Sequence, residues 1–135
     1  MIELGDEKVL YAFDKELEPA LVVPSGTTVR VRTKDCFGNQ VQRPEDELDE
    51  IDWDHINPAT GPIFVEGAVP GGSLKVTIEA IEFDGQTASC TGEGEGVCGD
   101  RFDAWSTHLC KIDGDELVWD EELRIPLRPM IGVIG

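Results

Sequence analysis

Leu109-Cys110-Lys111-Ile112-Asp113-Gly114-Asp115-Glu116-Leu117-Val118-Trp119 decides the fold class. Asp113-Gly114 sits between two apolar runs, and such a dipeptide signals a hairpin because glycine enters the positive-φ conformation of a tight turn at little steric cost. The spacing therefore predicts that Leu109–Ile112 pairs with Leu117–Trp119. The same pattern recurs outward along the chain. Asp84-Gly85 is a second hairpin signal, and Pro24-Ser25-Gly26 and Pro70-Gly71-Gly72 each turn the chain before a strand. Val9–Phe13, Thr28–Thr33 and Ser73–Phe83 are alternating or β-branched runs closed by turn residues, which is strand behaviour. One helix is expected after Pro44, over Pro44–Ile51, with proline at the first helical position and carboxylates at the positive end. There is no internal repeat. The expectation is a single domain over 1–135, all-β and mainly antiparallel: a jelly-roll-like sandwich or barrel with one short helix.

Composition narrows the partners. The 135 residues hold 28 Asp+Glu against 11 Lys+Arg, a formal charge of −17, yet 40% are hydrophobic. A solvating tail would lack those apolar residues, so the chain is read as globular. The charge repels phosphate backbones and anionic lipid, which sets aside nucleic acid and membrane surfaces. No run approaches the roughly 18 apolar residues of a membrane span, and Met1–Glu7 lacks the basic and apolar parts of a signal peptide, so the cytoplasm is expected. The acid-rich, lysine-poor surface would also suit a salty cytoplasm. Cys36, Cys90, Cys98 and Cys110 match no zinc pattern and are read as buried or idle thiols, with one disulfide as the alternative for an exported chain.

Several features carry a bland reading more easily than a chemical one. Seven carboxylates between Glu45 and Asp54 and six between Asp113 and Glu122 lack calcium-loop spacing and read as solvated faces. Gly92-Glu93-Gly94-Glu95-Gly96-Val97-Cys98-Gly99-Asp100 lacks the Lys-Ser/Thr ending of a phosphate loop, and its glutamates would repel phosphate. It reads as a flexible loop. His55 and His108 have no nucleophile at a diagnostic spacing, and His108 reads as structural in a strand Thr107–Ile112. No serine sits in a nucleophile elbow.

Two segments are more particular. Asp35-Cys36-Phe37-Gly38-Asn39-Gln40 follows a strand, and its Asp, Asn and Gln lie on a glycine-hinged loop where they can converge on a small polar ligand; Asp35 can equally cap a turn. Ile56-Asn57-Pro58-Ala59-Thr60-Gly61-Pro62-Ile63-Phe64-Val65-Glu66-Gly67-Ala68 ends with Glu66 at a strand end. Hydrolysis of a carboxamide needs donors or a metal for the oxyanion and a carboxylate or bound hydroxide to deliver water. The ending Ile125–Gly135 is almost wholly apolar and reads either as a buried last strand or as a segment meant to dock against more protein.

The Asp35–Gln40 loop, Asn57–Pro62 with its continuation through Glu66 to Pro70-Gly71, and the Ile125–Gly135 ending together resemble the acetamidase/formamidase family over essentially the whole chain. The resemblance implies a β-rich jelly-roll-like sandwich and hydrolysis of small carboxamides such as formamide or acetamide to ammonia and a carboxylate. It also implies that this chain is an amino-terminal part. The family's Gly-Asn-Met-Asp segment and its His-containing stretch ending Gln-Gly-Asp-Gly-Glu, associated with the metal and active site, do not occur here. On this reading Asp35 and Glu66 are the catalytic candidates and Asn39, Gln40 and Asn57 the substrate-binding ones. Metal ligands in this chain are unknown; a divalent metal, zinc or calcium, is allowed for, with ligands largely outside the chain. Expected partners are the small amide, a carboxy-terminal half or second subunit, and in one version a further copy of the chain. The rival reading is a non-catalytic acidic β-module that binds a protein partner or cations.

Overall fold

The computed structural model describes residues 1–83 and 85–135, and these are mainly β. Among the described residues ten strands form: β1 Ile2–Leu4, β2 Val9–Leu10, β3 Leu21–Pro24, β4 Val29–Val31, β5 Ala59–Thr60, β6 Ile63–Glu66, β7 Gln86–Thr91, β8 Ser106–Asp113, β9 Glu116–Val118 and β10 Arg124–Pro126. They belong to two compact units. The first comprises Met1–Gly38, Asp54–Glu79 and Gly132–Gly135; the second comprises Asn39–Trp53 and Ala80–Ile131.

In the first unit β1 pairs with β4 and β3 with β6, both parallel, while β2 pairs with β5 antiparallel. The β3–β6 register runs from Leu21 opposite Ile63 to Pro24 opposite Glu66, and Val23 is the buried residue of that pair of strands. The second unit is one antiparallel sheet in the order β10-β9-β8-β7. Its hairpin turns where expected, with Asp113 opposite Glu116 and Gly114 at φ 59, the positive value that favours glycine there. The Asp84-Gly85 signal involves Asp84, which lies outside the described residues. Leu48, Val41 and Cys110 are the most deeply buried side chains of this unit.

Several expectations change. The sheets are mixed: two ladders of the first unit are parallel, so a mainly antiparallel jelly-roll is corrected to a mainly-β fold, and among the described residues no sheet closes into a barrel. Parallel pairing joins segments far apart in sequence, so local alternation says nothing about it. Pro44–Ile51 is not helical. Asp46 bends the chain backwards, accepting the amides of Gln42 at 2.8 Å and Arg43 at 2.9 Å, and a helix would stack like charges at Glu45/Asp49 and Asp46/Glu50. The short helices are single 3-10 turns at Trp53–His55 and Gly99–Arg101. Ser73–Phe83 forms no strand and joins no ladder among the described residues. Among the described residues Val9–Phe13 is strand over Val9–Leu10, where Thr60 and Ala59 stand opposite, and Thr28–Thr33 is strand over Val29–Val31.

Candidate functional site

In the first unit two loops are drawn together around Asp35. Beyond β4 the amide of Arg32 donates to the Leu4 carbonyl at 2.9 Å, prolonging the β1 pairing and delivering the chain to Asp35. There the Asp35 carboxylate accepts the Phe37 amide at 3.0 Å and its carbonyl accepts the Gly38 amide at 3.0 Å, so an Asx turn and a β-turn close on the same residue. Gly38 takes φ 67, which suits glycine. The second loop is fastened to the first at two points: the backbone N–H of Asn57 donates to the Cys36 carbonyl at 2.7 Å, and the Thr60 hydroxyl donates to the Arg32 carbonyl at 2.9 Å. Asn57 holds φ 52, a conformation that Asn tolerates better than most residues. Asp35 and Asn57 are both exposed.

Beside Asn57, His55 meets Tyr11 edge to face with ring centroids 4.8 Å apart. Tyr11 follows β2, which pairs with β5 just beyond Asn57, so the ladder brings an imidazole and a phenol to these loops. Sequence reasoning missed this pair. The two residues are 44 positions apart, and only the β2–β5 pairing signals their meeting.

The other candidates lie elsewhere. Glu66 ends β6 opposite Pro24 and is exposed, and its carboxylate makes no hydrogen bond or ion pair among the described residues. Asn39 and Gln40 belong to the second unit. Asn39 is exposed at φ 62. Both ends of the Gln40 amide hold the backbone of Asp52: Oε1 accepts its N–H at 2.7 Å and Nε2 donates to its carbonyl at 3.2 Å. Gln40 thus imitates a strand pair and clips the intervening acidic loop.

The acidic clusters are mostly exposed, as their composition implies, and some of their members hold turns. The amide of Gln42, then the Arg43 side chain and amide, keep the Asp46 carboxyl below its ordinary range. The amides of Glu122 and Leu123 do the same for Asp120. Arg124 bridges Asp113 at 3.1 Å and Glu116 at 3.3 Å across the hairpin. In the glycine-rich loop a Cβ at Gly92 would strike the Trp105 ring, and one at Gly99 would lie 2.5 Å from the Gly94 backbone, so these glycines are required by packing. His108 is structural: it stacks on Trp119 at 4.4 Å and its Nε2 lies 2.7 Å from the Trp119 carbonyl oxygen. All four cysteines are free thiols, and burial pushes that of Cys110 up.

Among the described residues no three His, Cys, Asp or Glu side chains gather as a metal-binding group. The residues present therefore do not by themselves fit the divalent metal that the family resemblance allows for. Two surface hollows lie in the second unit. One of about 520 Å³ is lined by residues including Phe83, Ile112 and Leu127; the other, of about 370 Å³, by Glu47, Asp49, Glu93, Asp103, Ala104 and Trp105. Neither contains a predicted site residue. No helix of the described residues is long and apolar enough to cross a membrane.

Residues 4–133 match the model of the acetamidase/formamidase family, and this chain belongs to that family. It is similar to the crystal structure of an acetamidase from Bacillus halodurans, with 42% identity and a TM-score of 0.94 over 99% of this chain and 45% of the other. A predicted acetamidase/formamidase from Thermoanaerobacter tengcongensis gives 46% identity and a TM-score of 0.92 over 99% of this chain and 44% of that one. An acetamidase from Yersinia enterocolitica, at 18% identity and a TM-score of 0.67 over 93% of this chain and 43% of its own, shares the fold. The chain thus spans less than half the length of these structures. Among curated proteins none matches it.

Proposed function

We propose that this chain is the amino-terminal part of an amidohydrolase that cleaves small carboxamides such as formamide or acetamide, and that its active site is completed by polypeptide outside these 135 residues. The observation that carries this reading is the family match over residues 4–133. In the reaction water adds to the amide carbon, forming a C–O bond; the C–N bond then breaks, and the nitrogen leaves as ammonia after receiving a proton. Such a step needs a group that takes a proton from water, a group that returns one to nitrogen, and donors facing the oxyanion.

Within the first unit the turn at Asp35 fits the first of these needs. One carboxylate oxygen receives the Phe37 amide, which orients the group while leaving it exposed to a substrate. Glu66 is the second catalytic carboxylate of the proposal. Asn57 offers its side-chain amide to the substrate carbonyl, from a loop whose backbone is tied to Cys36. In the second unit Asn39 is a substrate contact, whereas Gln40 acts as a positioning residue through its hold on Asp52. Any divalent metal takes its ligands mainly from the completing polypeptide.

Asp35→Ala and Glu66→Ala in the active assembly test the assignment, read as ammonia released from acetamide. Loss of a proton-transferring carboxylate is expected to cost roughly 100-fold or more in kcat. Turnover unchanged by both substitutions removes these residues from the mechanism.

A further inference from the structure

Ser73–Glu79 is written as a strand and stands unpaired. Its apolar residues alternate with polar ones, Leu74, Val76 and Ile78 against Lys75, Thr77 and Glu79. Alternate positions of an extended chain share a face, so a strand over these residues would set the three apolar side chains in one stripe. They are 59%, 59% and 52% exposed, and every residue of the stretch is exposed. Among the described residues none of its backbone N–H or C=O groups makes a hydrogen bond. A strand with a free edge and a bare apolar face is a template for another strand.

The similar structures point to what covers this stretch. The buried hydrophobic residues are Val23, Val41, Leu48 and Cys110. The similar acetamidases hold more than half of their length outside the matched part, since this chain covers 45% and 44% of them. A second copy is the poorer occupant, because each copy brings a charge of −17 and self-pairing sets these together.

We infer that Ser73–Glu79 is completed by strand addition from the polypeptide that fills the unmatched part of the acetamidase fold, on the same chain or on another. This rests on the amidohydrolase reading for the identity of the partner. The added strand has apolar residues at alternate positions and covers Leu74, Val76 and Ile78.

The test is backbone hydrogen exchange at residues 73–79, in the chain alone and co-expressed with the part of the Thermoanaerobacter tengcongensis protein that the chain leaves unmatched. Exchange there should slow by about 100-fold or more in the complex. Val76→Pro removes a donor from the edge and Val76→Asp charges the stripe. Each should reduce recovered partner about tenfold and leave the melting temperature of the isolated chain in place. The inference is overturned by a complex in which residues 73–79 exchange as in the free chain, by failure to form a complex, or by protection arising in a dimer of the chain alone. It is also overturned if either substitution lowers the melting temperature of the isolated chain, since the segment would then be packed internally. A complex with protected residues and no ammonia release refutes the amidohydrolase reading and leaves the docking intact; ammonia release with unprotected residues does the reverse.

Discussion

Gln40→Ala separates a positioning residue from a substrate contact. The side chain makes two hydrogen bonds to Asp52, at 2.7 and 3.2 Å, and these close the acidic loop between them. Intramolecular hydrogen bonds contribute roughly 0.5–1.5 kcal/mol each, so their loss should cost about 1–3 kcal/mol. With a urea dependence of about 2 kcal/mol/M, the unfolding midpoint should fall by about 0.5–1.5 M. Trp53 follows Asp52 directly and supplies the fluorescence signal. Gln40→Glu sharpens the experiment. It keeps an acceptor for the Asp52 N–H but places an oxygen against the Asp52 carbonyl, so it should destabilise at neutral pH and recover once acid protonates the new carboxyl. A midpoint for Gln40→Ala within about 0.2 M of the parent would refute the clip and return Gln40 to the substrate-facing side.

Leu48→Ala should lower stability by about 2–5 kcal/mol in the same titration, because Leu48 is 1% exposed and its removal leaves a cavity among side chains that relax only in part. Asp46→Asn should destabilise at neutral pH. The native carboxyl is depressed, chiefly by the Gln42 amide, so its contribution is present above the ordinary carboxylate range and lost as pH falls through the native value; urea midpoints of parent and variant should therefore converge in acid. With a thiol reagent, Cys36 and Cys98 should label in the folded chain, whereas Cys110, 1% exposed and with its thiol pushed up by burial, should label only on unfolding, as peptide mass analysis would show.

What the sequence made legible was local. The turn at Gly114 needs two apolar runs and a glycine, all within a few residues, and the β8–β9 register follows from it. Ser73–Phe83 shows the limit of the same reasoning. Alternation states that a segment can be a strand, while pairing requires a neighbour, and the described residues supply none. The error at Pro44–Ile51 has another source. Carboxylates near a helix start are favourable singly, but here they repel one another, and Asp46 satisfies amides before it in sequence. The Asp35 loop was legible as a turn with polar side chains. Its fastening to Asn57 through the Cys36 carbonyl and the approach of His55 to Tyr11 depend on pairings between distant segments, which local composition does not encode.

Ammonia release from acetamide and formamide tests the central claim most directly, measured for this chain alone, for the unmatched part of the Bacillus halodurans acetamidase alone, and for the two co-expressed. Turnover is expected in the co-expressed pair and none in either part by itself. Turnover by the 135-residue chain alone, or none in a pair that forms a stable complex, would contradict the claim.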